Sequence, residues 1–210
     1  AAVAFNGTNY LVSWHDSRDG RVSDQFCVYA CRVSPSGAVL DTQGIKVTTP
    51  ASVSADNQFP SVASDGLSFM LAWESSVTGS WGARVARVDS SGAVLDTGGV
   101  MLTQEGDVAR TPSVAFDGSN YLATWSGGAG LADIEGKRVS PTGVILDRSP
   151  ITVSSAPDVQ EQPQVVFDGA NYVAVWQDQR NGSYDIRGTR ITPGGTVLDP
   201  NGFPVCQAAN

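Results

Sequence analysis

The sequence has few of the residues that most catalytic and metal centres use. Its 210 residues include one histidine, His15, three cysteines and two methionines. A zinc site or a Ser-His-Asp triad would have to use His15, and neither zinc-ligand spacing nor a G-x-S-x-G motif accompanies it. Both chemistries are therefore disfavoured.

Positive charge and long apolar runs are also scarce. There are 13 lysines and arginines against 21 aspartates and glutamates, which gives a net charge of −8. Nucleic-acid affinity comes mainly from Lys and Arg, so we expect no nucleic-acid partner. No apolar stretch approaches the roughly 20 residues that a spanning helix needs, so we expect no membrane insertion.

Turn-forming residues, by contrast, are abundant. The chain has 23 glycines and 11 prolines, and 41% of it is hydrophobic. It is too apolar to be disordered and too rich in turn formers for a helical bundle. The composition therefore favours an all-β fold.

Two sequence blocks recur four times along the chain. The first block reads VAFNGTNYLVSW, VASDGLSFMLAW, VAFDGSNYLATW and VVFDGANYVAVW, and the second reads CRVSPSGAVLD, ARVDSSGAVLD, KRVSPTGVILD and TRITPGGTVLD. Within each unit, short β-rich runs alternate with turn residues, which predicts four antiparallel strands, a to d. Four-stranded units repeated radially are the blades of a β-propeller.

The whole repeat unit resembles the blades of secreted bacterial β-propeller proteins. The unit P-x-V-A-F-D-G-x-N-Y-L-V-x-W, followed by R-V-S-P-x-G-x-V-L-D, carries this resemblance over essentially the whole chain. It implies a secreted or cell-surface location and no particular ligand. We therefore predict one domain, a four-bladed β-propeller with each blade a four-stranded antiparallel meander, and blade repeats at 1–59, 60–111, 112–162 and 163–210.

Residues present in every unit are predicted to be structural, because each blade needs its own packing whereas one site needs one copy. Aromatic columns include Trp14, Trp73, Trp125 and Trp176, and we assign them to the core. An arginine column and an aspartate column are also complete, which predicts one bidentate ion pair in each blade: Arg32, Arg87, Arg138 and Arg190 with Asp41, Asp96, Asp147 and Asp199.

The b–c and d–a connections vary between units and share one end of the propeller, the variable face. Function concentrates on variable loops of a rigid scaffold, so we place the site on this face. The loops HDSRDG (15–20) and QDQRNG (177–182) would meet in a closed ring, and three aromatics stand at the loop rim. The predicted ligand-binding residues are Asp16, Arg18, Phe26, Trp81, Asp178, Arg180 and Tyr184.

From these features we predict a secreted, non-catalytic and lectin-like binding module that recognises carbohydrate or a protein surface. One alternative is a structural or assembly segment, either part of a larger cell-surface protein or half of an eight-bladed ring formed by a homodimer. On the first hypothesis the chain is a monomer and on the ring-sharing one a homodimer. The third is a glycoside hydrolase, for which no spacing singles out a carboxylate pair among Asp16, Asp19, Glu74 and Asp178.

No cofactor is predicted, although calcium or another ion in a loop or in the central channel stays open. Asp16 and Asp19 offer oxygen ligands in a glycine-containing loop, but an arginine lies between them. The cysteines predict a disulfide from Cys206 to Cys27 or Cys31, since Cys27 and Cys31 lie about 13 Å apart on one strand at roughly 3.3 Å per residue. Such a bond would favour an oxidising compartment; three reduced thiols are the alternative.

Overall fold

A computed structural model describes residues 1–18, 25–48, 56–77, 80–104, 107–128 and 133–207. These residues form 16 strands in four antiparallel sheets, each ordered first to fourth along the chain. Blade 1 has β1 (Ala2–Phe5), β2 (Tyr10–Asp16), β3 (Cys27–Val33) and β4 (Ile45–Lys46). Blade 2 has β5 (Asp56–Ser64), β6 (Ser68–Val77), β7 (Ser80–Asp89) and β8 (Val100–Met101).

Blades 3 and 4 repeat this order. Blade 3 has β9 (Ala109–Phe116), β10 (Tyr121–Gly127), β11 (Asp133–Val139) and β12 (Ile151–Ser154). Blade 4 has β13 (Gln160–Phe167), β14 (Tyr172–Asp178), β15 (Asp185–Ile191) and β16 (Phe203–Cys206). The predicted all-β, four-bladed propeller of four-stranded meanders is confirmed. The described residues include no helix long and apolar enough to cross a membrane.

The first turn of each blade is fixed by its own side chain. In blade 3 the Asp117 carboxylate accepts the backbone N–H groups of Ser119 (2.7 Å) and Asn120 (2.7 Å). Gly118 follows Asp117 with φ of 95°, a conformation that costs glycine little. The Asp-Gly signal in the sequence therefore marks the hairpin between strands a and b.

The hydrophobic core lies between adjacent blades. Three clusters of buried side chains join blade 1 to 2, blade 2 to 3 and blade 3 to 4. Trp73, Trp125 and Trp176 are fully buried in these clusters, as the aromatic columns predicted. A second aromatic position on strand b is more open in blade 1. Tyr10 is 40% exposed there, whereas its blade 4 counterpart Tyr172 is 0% exposed.

The predicted ion pair is present in all four blades: Arg32–Asp41, Arg87–Asp96, Arg138–Asp147 and Arg190–Asp199. In blade 2, Arg87 donates from Nε (2.8 Å) and Nη2 (2.8 Å) to the two Asp96 oxygens. The same carboxylate also accepts the Arg87 backbone N–H at 2.9 Å. One Asp96 side chain thus fixes both the strand and the guanidinium of the arginine.

The cysteines do not form the predicted disulfide, since Cys27, Cys31 and Cys206 are all free thiols. Cys31 is buried, and its Sγ donates to the carbonyls of Arg32 (3.3 Å) and Asp41 (3.4 Å) within blade 1. Cys206 is exposed on β16, which pairs with β15 of its own blade. The disulfide argument for an oxidising compartment is therefore lost, and secretion stays a prediction.

Arg87→Ala should lower the free energy of unfolding by about 3 kcal/mol, because it leaves a mostly buried Asp96 without its partner. The matched control is Arg190→Ala, whose side chain is 51% exposed against 20% for Arg87, so its cost should be below about 1 kcal/mol. Urea unfolding measures both. Equal losses of unfolding free energy in the two variants would contradict the inference that the less exposed pair contributes more.

Candidate functional site

The inner strands of three blades share an unusual backbone feature where they enter the central channel. Phe59, Thr111 and Gln162 have left-handed φ angles of 50°, 46° and 55°, and a proline follows each. Left-handed backbone is uncommon outside glycine and costs of order 1–3 kcal/mol. Such residues concentrate at functional sites, which draws attention to this end of the channel.

Each of these residues sits in a β-bulge opposite the blade tryptophan. In blade 2, Gln58 pairs with Glu74 and Ser61 pairs with Ala72, so Phe59 and Pro60 oppose Trp73 alone. Blade 4 has the same shift between Glu161 and Gln164. A bulge bends the strand and re-aims its side chains. We call this ring of Phe59, Thr111 and Gln162 the channel mouth.

Side chains of the preceding blade satisfy the backbone of two bulges. His15 Nδ1 accepts the Phe59 N–H at 3.2 Å, and Glu74 Oε2 accepts the Thr111 N–H at 2.8 Å. His15 and Glu74 occupy the same position of the repeat, directly after the blade tryptophan. Each therefore holds the channel-mouth residue of the next blade in place.

Two cavities meet at the channel mouth. The larger, of about 430 Å³, includes Phe59, Thr111 and Gln162 in its wall. The smaller, of about 250 Å³, adds Arg110 and Glu161 to the shared Thr111 and Gln162. The mouth therefore combines an aromatic ring, hydroxyl and amide groups, a cation and a carboxylate.

Glu74 is the buried acid of this region. It is 2% exposed, and burial raises the pKa of its carboxyl group. Arg110 lies 3.4 Å from it and opposes that shift, yet the net direction stays upward. Among acids near the cavities, Glu74 is thus suited to hold a proton at higher pH than a free glutamate.

Arg110 and Glu161 bring opposite charges to the smaller cavity. The Arg110 guanidinium lies 4.1 Å from the centre of the Trp81 ring, and its side chain is 42% exposed. The Glu161 carboxylate acts on the Tyr184 hydroxyl and raises its pKa. Trp81 thus contacts Arg110 and Tyr184 interacts with Glu161, and the sequence placed both aromatic residues at the loop rim.

The predicted Asp and Arg pairs serve their own blades. Asp178 is fully buried and accepts the Trp176 indole N–H at 2.9 Å, while Arg180 pairs with it and donates to the Asn201 carbonyl at 2.8 Å. In blade 1, Asp16 likewise accepts the Trp14 indole at 3.1 Å and pairs with Arg18. These contacts fix the loop to the outer part of the blade. A ligand-binding role for the four residues stays a prediction.

Phe26, Trp81 and Tyr184 lie in three different settings. Phe26 packs edge-on against His15 with ring centres 4.9 Å apart, Trp81 lies against Arg110, and Tyr184 is 49% exposed. Asp19, one of the two candidate metal ligands, lies outside the described residues. The described part of the chain places no three His, Cys, Asp or Glu side chains together as a metal site.

Sequence reasoning missed Arg110, Thr111, Glu161 and Gln162. A signal for their location was present, since the residue pairs Phe59-Pro60, Thr111-Pro112 and Gln162-Pro163 stand at equal places in three units. Only the pairing across the sheet shows that these positions are bulges at a channel entrance.

Several solved structures share this fold. No protein-family model and no curated protein matches the sequence. An arabinanase of Bacillus subtilis superposes with a TM-score of 0.59 at 14% identity, over 100% of this chain and 80% of that one. An endo-arabinanase of Bacillus licheniformis gives 0.57 at 14%, with the same two coverages. An α-L-arabinofuranosidase of Lactobacillus brevis gives 0.58 at 13%, over 95% and 74%.

At these identities the likeness shows the β-propeller fold. It also corrects our functional prediction: because these propellers are glycoside hydrolases, they contradict the non-catalytic, lectin-like binding module and the prediction that the protein is not an enzyme.

Acid should weaken the blade 1 loop through Asp16. The Arg18 hydrogen bond lowers the pKa of Asp16 from 3.8 to about 2, so the ionised carboxylate stabilises the folded state. This contribution is complete above pH 3.8 and is lost as the pH falls through about 2. The difference in free energy of unfolding between the native chain and Asp16→Asn should therefore shrink as the pH falls from 3.8 towards 2. Urea titrations from pH 6 to pH 2 measure it, and a difference independent of pH would refute the assignment.

Proposed function

We propose that this protein is a glycoside hydrolase whose active site is the channel mouth. The observation that carries the proposal is the placement of two acids in unlike surroundings beside Arg110 and Thr111. Glu74 is buried with a raised pKa and contacts both residues, whereas Glu161 lines the smaller cavity together with them. Two carboxyl groups whose surroundings differ in this way are what glycosidic bond cleavage requires.

In this mechanism Glu74 is the proton donor. Its raised pKa favours a protonated carboxyl group that can donate to the departing glycosidic oxygen. Glu161 is the second carboxylate and acts on the sugar carbon directly or through a water molecule. Tyr184, whose pKa Glu161 raises, is the aromatic residue beside this carboxyl group.

Other residues at and beside the channel mouth bind the sugar. Arg110 has an exposed guanidinium that can donate to sugar hydroxyls, and Trp81 restricts its motion. Phe59, which is 49% exposed in the wall of the larger cavity, offers a ring face for stacking. Carbohydrate is thus the proposed partner, and arabinan is the first polymer to test because two of the similar structures are arabinanases. A secreted monomer fits a polymeric substrate.

Glu161→Gln and Glu74→Gln should each lower kcat/KM on linear arabinan and on a chromogenic α-L-arabinofuranoside by at least about 100-fold, the usual size of an acid or base contribution. Glutamine keeps an acceptor for the Thr111 N–H, so the fold should persist. Glu135→Gln is the control, because burial also raises the pKa of Glu135 but its carboxylate accepts the Trp125 indole at 3.2 Å within blade 3. This variant should stay within about twofold of the native rate.

The assay must include galactan and other glycosides beside arabinan. Absence of turnover on the whole panel by the folded native chain, even with measurable sugar binding, would contradict the hydrolase proposal. Full activity of Glu161→Gln would instead remove Glu161 from the mechanism.

The pH profile tests the proton donor. Because Glu74 acts in its protonated form, kcat/KM should fall as the pH rises through its raised pKa, above the 4.5 of an ordinary glutamate. Arg110→Met removes the cation that opposes this shift, so the falling limb should move to higher pH. A limb that stays in place would show that another group supplies the proton.

A further inference from the structure

The three contacts between neighbouring blades use one repeated arginine bond. In blades 1 to 3 the Nη1 atom of the paired arginine donates to a carbonyl in the c–d turn of the following blade. The bonds run from Arg32 to Ser90 (3.0 Å), from Arg87 to Pro141 (3.5 Å) and from Arg138 to Pro193 (3.2 Å). The guanidinium that ties each blade together thus also ties it to the next.

The fourth arginine has the same pair but lacks this bond. Within the described residues Arg190 bonds only to Asp199, and its side chain is 51% exposed. The corresponding turn of blade 1 is uncovered as well. A Cβ on Gly37 would meet nothing within 4 Å, whereas one on Gly143 would lie 3.0 Å from Arg87 Nε.

The strand b aromatics show the same asymmetry. Tyr172 of blade 4 is buried against blade 3, and its hydroxyl donates to the Asn120 carbonyl at 2.8 Å. Its counterpart Tyr10 in blade 1 is 40% exposed, and Phe5 beside it is 45% exposed. Blade 1 therefore presents an exposed leading face, at Phe5, Tyr10 and the Gly37 turn, and blade 4 an exposed trailing face at Arg190.

We propose that these two faces are docking surfaces for one further blade of the same repeat, joined to this chain, which closes the ring between blade 4 and blade 1. The proposal continues the three interfaces already formed. The new blade's c–d turn offers the carbonyl that Arg190 lacks, and its a–b turn offers the carbonyl that Tyr10 lacks. Its own arginine then covers the turn at Gly37.

The size of the missing piece agrees with one blade. The four sheets of this chain superpose on 80% of each of two arabinanases, so about one sheet's share of those chains has no counterpart here. The proposal does not depend on the hydrolase assignment, because it rests on blade contacts and on the length of similar folds, not on any catalytic residue.

The test adds a blade to the full chain and asks whether the two exposed faces become buried. A second copy of residues 109–159, which spans β9 to β12, is joined after Asn210, and Tyr10→Ser and Arg190→Ala are each made in the native and extended chains. In the native chain each substitution should lower Tm by less than about 2 °C, since both side chains are exposed. In the extended chain each should lower Tm by about 4 °C or more, because each now lies in an interface.

Placing the copy before Ala1 instead gives a second extended chain with the same expectation. Equal, small shifts in native and extended chains would overturn the proposal, as would sensitivity at Arg190 without sensitivity at Tyr10, or failure of both extended chains to fold. Sedimentation of the native chain tests the alternative that a second copy of the chain binds the two faces. A dimer that Tyr10→Ser and Arg190→Ala dissociate would show that the faces take a second copy rather than a further blade.

Discussion

The bidentate arginine–aspartate pair is the interaction on which the rest of the propeller depends. In each blade the aspartate after the c–d turn holds the arginine of strand c through both its side chain and its backbone N–H. A planar guanidinium has donors left over after a bidentate bond, and in blades 1 to 3 one of them reaches the next blade. The same group therefore orders the sheet and sets its position against its neighbour.

Packing between the sheets then follows from this alignment. The tryptophans of blades 2 to 4 are buried, and each indole N–H is satisfied by a different acceptor: Asn57, Glu135 and Asp178. A buried indole N–H without an acceptor would cost about 1–3 kcal/mol. Each of these blades therefore provides an acceptor, from whichever polar residue lies near its tryptophan. Polar residues that vary between units are consequently not all free to serve function, and Asp178 is an example.

The channel mouth depends on the same coupling between blades. The left-handed Thr111 is stabilised because Glu74 of the preceding blade accepts its N–H, and Glu74 is buried because blade 3 packs over it. The bulge also exposes Thr111 to both cavities. One contact thus links backbone strain, the raised pKa of a carboxyl group and the shape of the proposed active site.

Much of the architecture was determined by the sequence alone, because fourfold repetition, alternating strands and turn residues are local signals. The Trp73 core position and the Arg87–Asp96 pair could be predicted, since each recurs once per unit. The proposed function could not be singled out, because the two acids assigned to it occur once each and nothing local distinguishes Glu161 from a solvated surface residue. Only the tertiary structure decided that Glu74 and Glu161 flank Arg110, that Cys206 lies apart on an outer strand, and that blades 1 and 4 keep open faces. These are contacts between residues distant in sequence, and they arise from how the blades pack rather than from the pattern within any one of them.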